Sequence, residues 1–310
     1  MTDIAVIAFK LIDYFFWQPQ NSKKFKNITI EKDIPYSTEE CCKVNFHYDE
    51  AKKPADNKKW PVMVQVHGGG FVAGDKKFRK SLSGFFADKG FFVVNVNYGL
   101  SPKYTIKEYI QHLGLAMNWL ADNGDKYNLD LQNVNITGDS AGGHATAVIG
   151  CLYANPEYRN TFDVKDFSDR LTITHLIPAC GVYDAPKALA KKFPFNAGKI
   201  LCQDMSGMKL SKDMHELPTY EYYKECSPIN FVNAQWPKTH ITQVKNDMFC
   251  DGQGDTLYNK LVELNVPVTM FERGRFGDLH CFHLMWHRKS SKEWQQEMID
   301  YIEKEGIVSK

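Results

Sequence analysis

The chain has no apolar run that reaches the roughly 20 residues a membrane-spanning helix needs. Its apolar N-terminal stretch, Ile4 to Trp17, stops at 14 residues and is broken by Lys10 and Asp13. Stable insertion into a bilayer is therefore not expected. Nor is there an excess of charge of one sign: 38 Lys and Arg stand against 37 Asp and Glu, for a net charge of +1. That balance excludes a nucleic-acid or acidic-surface partner. Cysteine is sparse, with eight in 310 residues and no CxxC spacing, which excludes a disulfide scaffold and a zinc site. The adjacent Cys41 and Cys42 point to opposite faces of any strand they share. Eight reduced thiols in a cytoplasmic protein are the expectation. Repeats, linkers and low-complexity tracts are absent too, so one domain is the simplest organisation.

What is present centres on Val134 to His144, VNITGDSAGGH. A short β-branched run reads as a buried strand, and the small residues after it open a helix. Ser140 falls at the turn between them, where Gly138 and Gly142 relieve the crowding and leave its hydroxyl over the end of a sheet. The helix N-terminus brings free amides and a partial positive charge to any oxyanion formed there. GxSxG alone is a weak pattern, so the serine needs partners. Upstream, the apolar strand Val62 to Val66 ends in His67-Gly68-Gly69-Gly70. The amides of Gly69 and Gly70, joined by that of Ala141, are candidate oxyanion-hole donors. Downstream, the strand Ile241 to Val244 leads to Asp247, and Val266 to Phe271 leads to a loop carrying His280. Serine, then acid, then histidine is a chain order found for catalytic triads on α/β sheets.

With these segments in hand, the chain resembles the hormone-sensitive-lipase-like branch of the α/β-hydrolase superfamily, through GDSAGGHA at 138–145 and HGGG at 67–70. Tyr98-Gly99-Leu100-Ser101-Pro102 is similar to that family's YRLxP segment, with Gly99 where arginine is usual. Asp247 to Gly252 resembles DxLxDEG, whose first aspartate is the triad acid, and Gly277 to Phe282 resembles GxxHGF with Cys281 in place of glycine. The resemblance covers about residues 55–305. It implies a serine carboxylesterase acting on short- to medium-chain acyl esters, with Ser140, Asp247 and His280 as the triad and no cofactor or metal. An amidase, peptidase or lactonase with the same triad is the alternative. A non-catalytic receptor on this fold is a third reading, which the retained His280 opposes.

Several residues compete for these roles. Asp251 and Asp255 recur at four-residue steps after Asp247, but Asp247 lies directly after the strand and Asp255 suits a first helical turn. His283 and His287 share a segment with His280 and read as packed or surface residues. His67 and His144 read as structural, and Asp139 as a residue that orients neighbouring loops.

The rest alternates as a mostly parallel eight-stranded sheet with flanking helices requires. Strands are expected at 27–31, 42–48, 62–67, 91–97, 133–137, 172–179, 239–244 and 267–271. Helices are expected at about 78–89, 105–122, 141–154, 253–265 and 290–304, the last opened by a capping box at Ser290 to Glu293. Residues 183–236, with four prolines and several aromatics, interrupt the alternation. Together with about 1–50 they are expected to form a helical cap on a single domain spanning 1–310. The apolar N-terminal segment fits a helix over the active site, with a homodimer or membrane-surface contact and an export signal as alternatives; the sequon at Asn27 matters only for the last. The paired lysines at 52–53, 58–59 and 76–77 read as solvated loops without function.

Overall fold

The computed structural model describes residues 4–55, 58–189 and 197–308. Eight strands form one sheet: β1 (Ile28–Pro35), β2 (Lys43–Asp49), β3 (Trp60–Val66), β4 (Phe92–Val96), β5 (Leu129–Asp139), β6 (Ile173–Ala179), β7 (Lys238–Val244) and β8 (Val268–Arg273). Their spatial order is β1-β2-β4-β3-β5-β6-β7-β8, with the β1–β2 and β2–β4 pairings antiparallel and every other pairing parallel. All seven residues of β3 are buried, as helices on both faces require of a central parallel strand. The strands lie where the alternation of the sequence places them.

The helices are α1 (Ile4–Gln20), α2 (Lys80–Asp88), α3 (Ile106–Asn123), α4 (Ala141–Ala154), α5 (Pro156–Thr161), α6 (Ala185–Leu189), α7 (Ala197–Ser206), α8 (Gln253–Glu263) and α9 (Lys289–Glu305). One apolar cluster joins the sheet to α3 and α4, and a second packs α2 and α9 on the sheet. Each large side chain buried in full contributes roughly 1.5–3 kcal/mol, and Trp294 of α9 adds a hydrogen bond from Nε1 to Thr242 Oγ1 at 2.9 Å. Helix α4 is buried from Ala141 to Leu152, so it runs through the core behind the turn at Ser140.

Four sequence expectations change. Residues 28–49, expected both as two strands and within the cap segment of about 1–50, pair in the sheet because Val44 and Phe46 are core residues, which leaves α1 as the N-terminal element outside it. The capping box at Ser290 does not form. Helix α9 begins at Lys289, the Ser291 hydroxyl donates to His283 O, and Glu293 pairs with Arg273 and Arg275. Lys76 is not solvated: it is buried, with Nζ 2.7 Å from Asp33 Oδ1. Helix α5 was not expected, although Asn155 accepts from the Tyr158 amide and Pro156 occupies the first turn, both ordinary start signals. Between β6 and β7 the described residues hold α6, α7 and short 3-10 turns; residues 190–196, including Phe193 and Phe195, lie outside the described residues. No helix among the described residues is long and apolar enough to cross a membrane.

Candidate active site

Ser140 stands between β5 and α4 with φ 55° and ψ −117°, a backbone conformation that costs an L residue energy and persists only where surroundings enforce it. The surroundings here are glycines. A Cβ on Gly138 would lie 2.2 Å from Gly142 O, and one on Gly142 would lie 2.1 Å from Val66 O. The turn therefore closes only with hydrogen at both positions. The Ser140 amide donates to Ala179 O at 2.9 Å and its carbonyl accepts from the His144 amide at 3.0 Å, which fixes the backbone and leaves the hydroxyl exposed to the site. Ala141 begins α4, so its amide has no carbonyl one turn back to receive it.

The loop after β3 faces this turn. Gly69 has φ 136° and Gly70 φ 61°, and the Gly69 carbonyl accepts from the Ala73 amide at 3.0 Å. His67 pins the loop: burial pushes its pKa down to about 4, so its ring is neutral, and Nδ1 donates to Gly68 O at 2.8 Å while the ring stacks on Tyr98 at 4.5 Å. His144, also held near 4 by burial, donates from Nε2 to Cys226 O at 3.0 Å and accepts at Nδ1 from the Tyr109 hydroxyl at 3.1 Å. Both histidines are spent on structure, as their positions in the motifs suggest.

His280 and Asp247 meet across two loops, with His280 Nδ1 2.8 Å from Asp247 Oδ2 and 3.0 Å from Oδ1. The carboxylate also accepts from the amides of Phe249 at 2.8 Å and Cys250 at 3.1 Å. Burial raises the pKa of Asp247, but the His280 charge, its hydrogen bond and these amides outweigh it and hold the carboxyl below its ordinary range. For His280, burial pulls the pKa down and the Asp247 charge and hydrogen bond raise it above 6.5 on balance. Cys281 Sγ lies 4.0 Å from Oδ2 of Asp139, the residue before Ser140. No hydrogen bond joins Ser140 Oγ to His280 among the described residues, a gap that free hydrolases commonly close on binding substrate.

The competing residues stand apart. Asp255 accepts from Gln243 Nε2 at 3.0 Å in the first turn of α8. His283 is buried against Trp294 at 5.0 Å. Asp139 is engaged by Arg79, which the sequence reading did not single out: Nε to Oδ1 and Nη2 to Oδ2 are both 2.6 Å. A lone arginine in a lysine-rich stretch carries no signal that distinguishes it. Also unforeseen is the contact of α1 with the site, where a Cβ on Gly70 would come within 2.6 Å of the Phe9 ring. Phe9 lies 6.3 Å from Phe249, which is 5.0 Å from His280.

Among the described residues, three clusters carry potential metal-ligating atoms within 4.8 Å of one another: Cys41, Cys42 and His112; Cys180, His280 and Cys281; and Asp247, Cys250 and His280. The last two draw on the histidine and aspartate of the site itself. All eight cysteines are free thiols.

A family model described as BD-FAE matches residues 49–261, well over half the chain. The chain belongs to the BD-FAE family. This BD-FAE chain has the α/β-hydrolase fold and carries the motif set of the hormone-sensitive-lipase-like branch. It is similar to the probable carboxylic ester hydrolase LipM of Mycobacterium tuberculosis, 24% identical over 188 residues that cover 60% of this chain and 41% of that protein. Esterase LipQ of the same organism is 25% identical, over 62% of this chain and 43% of its own length. The chain thus spans less than half the length of these relatives. Among solved structures, esterase B from Lactobacillus rhamnosis superposes with a TM-score of 0.81 at 20% identity, covering 96% of this chain and 94% of that one. A bacterial heroin esterase superposes at 0.75 and 17% identity, covering 99% and 93%.

Proposed function

We propose that this BD-FAE chain is a serine carboxylesterase that hydrolyses short- to medium-chain acyl esters. The observation that carries the reading is the His280–Asp247 pair, set beside the strained turn that presents Ser140. In this reading His280 takes the Ser140 proton as Oγ attacks the ester carbonyl, and then returns it to the leaving alcohol. Asp247 holds Nδ1 protonated, so Nε2 is the basic nitrogen, and stabilises the imidazolium. The amides of Gly69, Gly70 and Ala141 receive the oxyanion. Water then enters on the same histidine and releases the acid from the acyl-enzyme. This chemistry calls for no metal or organic cofactor.

The preference for short acyl groups has two supports. Phe9 packs over Gly70, so its ring narrows the space beside the proposed oxyanion donors. Esterase B, of the same fold, was captured with a tributyrin phosphonate. Free thiols throughout the chain support a cytoplasmic setting, and the exposed α1 side chains of Ile7, Leu11, Tyr14 and Phe15 are the surface through which a homodimer would form.

Hydrolysis of p-nitrophenyl esters from acetate to palmitate, beside the matching anilides, tests the reading. A maximum between acetyl and hexanoyl esters with weak anilide cleavage is the expected result. Faster anilide than ester cleavage assigns the triad to an amidase, and no turnover of any member sinks the catalytic reading.

A further inference from the structure

Two sulfurs converge behind the histidine. Cys180 follows β6 with φ 48°, and Cys281 directly follows His280 with φ 57°. Their Sγ atoms and a ring nitrogen of His280 all lie within 4.8 Å of one another. The two cysteines are 3% and 4% exposed, yet they adjoin His280, whose side chain keeps 14% of its exposure. The proposed hydrolysis uses neither sulfur, and position 281 departs from the glycine of the motif this segment resembles.

We propose that Cys180 and Cys281 form a reversible oxidation site, a dithiol that a hydroperoxide converts to a disulfide beside His280. The chemistry of the pair favours this. The neighbouring Cys281 holds the Cys180 thiol down to about 5 against the opposing effect of burial, with His283 and the charge of His280 adding to it. Of the two thiols, Cys180 is thereby the more readily ionised, and the thiolate is the nucleophilic form. Its sulfur attacks one peroxide oxygen, the O–O bond breaks, and the departing hydroxide takes a proton to become water, leaving a sulfenic acid. The Cys281 sulfur, losing its proton, then attacks the sulfenic sulfur; the S–S bond forms and the second oxygen leaves as water. Two thiols have lost two electrons and two protons in all, and one hydrogen peroxide has become two waters. A small-molecule dithiol reverses the sequence by thiol–disulfide exchange.

Bond formation brings the sulfurs to about 2.05 Å. The movement falls on the residue bonded to His280, whose ring must keep its 2.8 and 3.0 Å contacts with Asp247. Displacement of a catalytic group by about 1 Å can cost on the order of 10²-fold in rate, so the oxidised enzyme is the inactive form. The effect on rate rests on the esterase reading; the bond itself does not.

The test treats the full chain with hydrogen peroxide in thiol-free buffer and follows intact mass, peptide map and ester hydrolysis. The expected result is a loss of two hydrogens, a Cys180–Cys281 linked peptide, and a fall in rate of about tenfold or more that dithiothreitol restores. Cys281→Ala and Cys281→Gly should keep the basal rate and resist peroxide, while Cys41→Ser should respond as the wild type does. Inactivation without the linked peptide, or equal sensitivity of both Cys281 variants, overturns the proposal. So does inactivation that a chelator reverses and dithiothreitol does not, which gives the three donors to a metal ion. If the chain proves not to hydrolyse esters, the linked peptide still decides.

Discussion

Arg79 holds Asp139 in a two-pronged ion pair, both contacts at 2.6 Å, one residue before Ser140. The arginine side chain is 5% exposed and the aspartate 1%, so each charge depends on the other for its solvation. Burial raises the pKa of Asp139, and the Arg79 charge and hydrogen bonds bring it below the ordinary range. Arg79 Nη1 also donates to Gln20 Oε1 at 3.0 Å, and Trp286 Nε1 donates to Gln20 O at 2.7 Å. The end of α1 is thus moored to the serine turn while Phe9 reaches the glycine loop after β3.

Breaking this pair should destabilise the chain more than any single surface change. Removing one partner of a buried ion pair costs about 3–5 kcal/mol because the other charge is stranded. Arg79→Met should lower the free energy of unfolding by that amount in a urea titration at neutral pH. A loss of less than about 1 kcal/mol, the size expected of an exposed pair, would contradict the buried geometry.

Ser140→Ala should abolish ester hydrolysis without loss of folded structure, by on the order of 10³-fold or more in kcat. Circular dichroism and the p-nitrophenyl acetate rate measure the two together. Near-normal turnover in a preparation free of other esterases would end the serine mechanism.

His280→Ala and Asp247→Asn should each lower kcat steeply, because a nucleophile without its base retains only oxyanion and binding contributions. Asp255→Asn should be mild, since that carboxylate serves Gln243. His283→Ala should keep kcat while lowering Tm, since its ring packs on Trp294. An inactive His283 variant beside an active His280 variant would move the base three residues along the loop.

The acid limb of kcat/KM should lie above pH 6.5. Catalysis needs neutral His280, and the Asp247 charge raises its pKa above that value despite burial. Activity therefore rises as pH passes through the raised pKa, and Asp247→Asn should move the limb to lower pH. Stability runs the other way: the contribution of protonated His280 is complete below 6.5 and is lost as pH climbs through the folded value. An acid limb below 6.5 in the wild type would show that burial outweighs the carboxylate.

Phe9→Ala should shift acyl preference toward longer chains. Each methylene that finds new apolar cover adds about 0.8 kcal/mol, so kcat/KM for octanoyl relative to butyryl esters should rise several-fold. An unchanged chain-length profile would place the acyl group away from α1.

The order of strands and the turn at Ser140 were legible in the sequence because both are local. Alternation of apolar runs marks strands, and glycine at 138 and 142 marks a turn too tight for a side chain. Asp247 could be nominated because it lies just past a strand, and His280 because its segment resembles GxxHGF. The sequence alone also determined that no stretch resembles a membrane span and that charge is balanced, since those depend on composition. Tertiary structure decided the rest. Residues 28–49 read as two strands in the sequence, but the pairing of β2 with β4 depends on both segments, and no local pattern carries it. Arg79 and Asp139 are 60 positions apart, and Phe9 and Gly70 are 61 apart; no local pattern couples such residues. Ser290 follows the same rule: a helix start signal in sequence, it yields to the packing of α9, which begins one residue earlier and turns Glu293 to Arg273 and Arg275. A short-range signal holds where backbone geometry sets the cost, and fails where burial and pairing with distant residues set it.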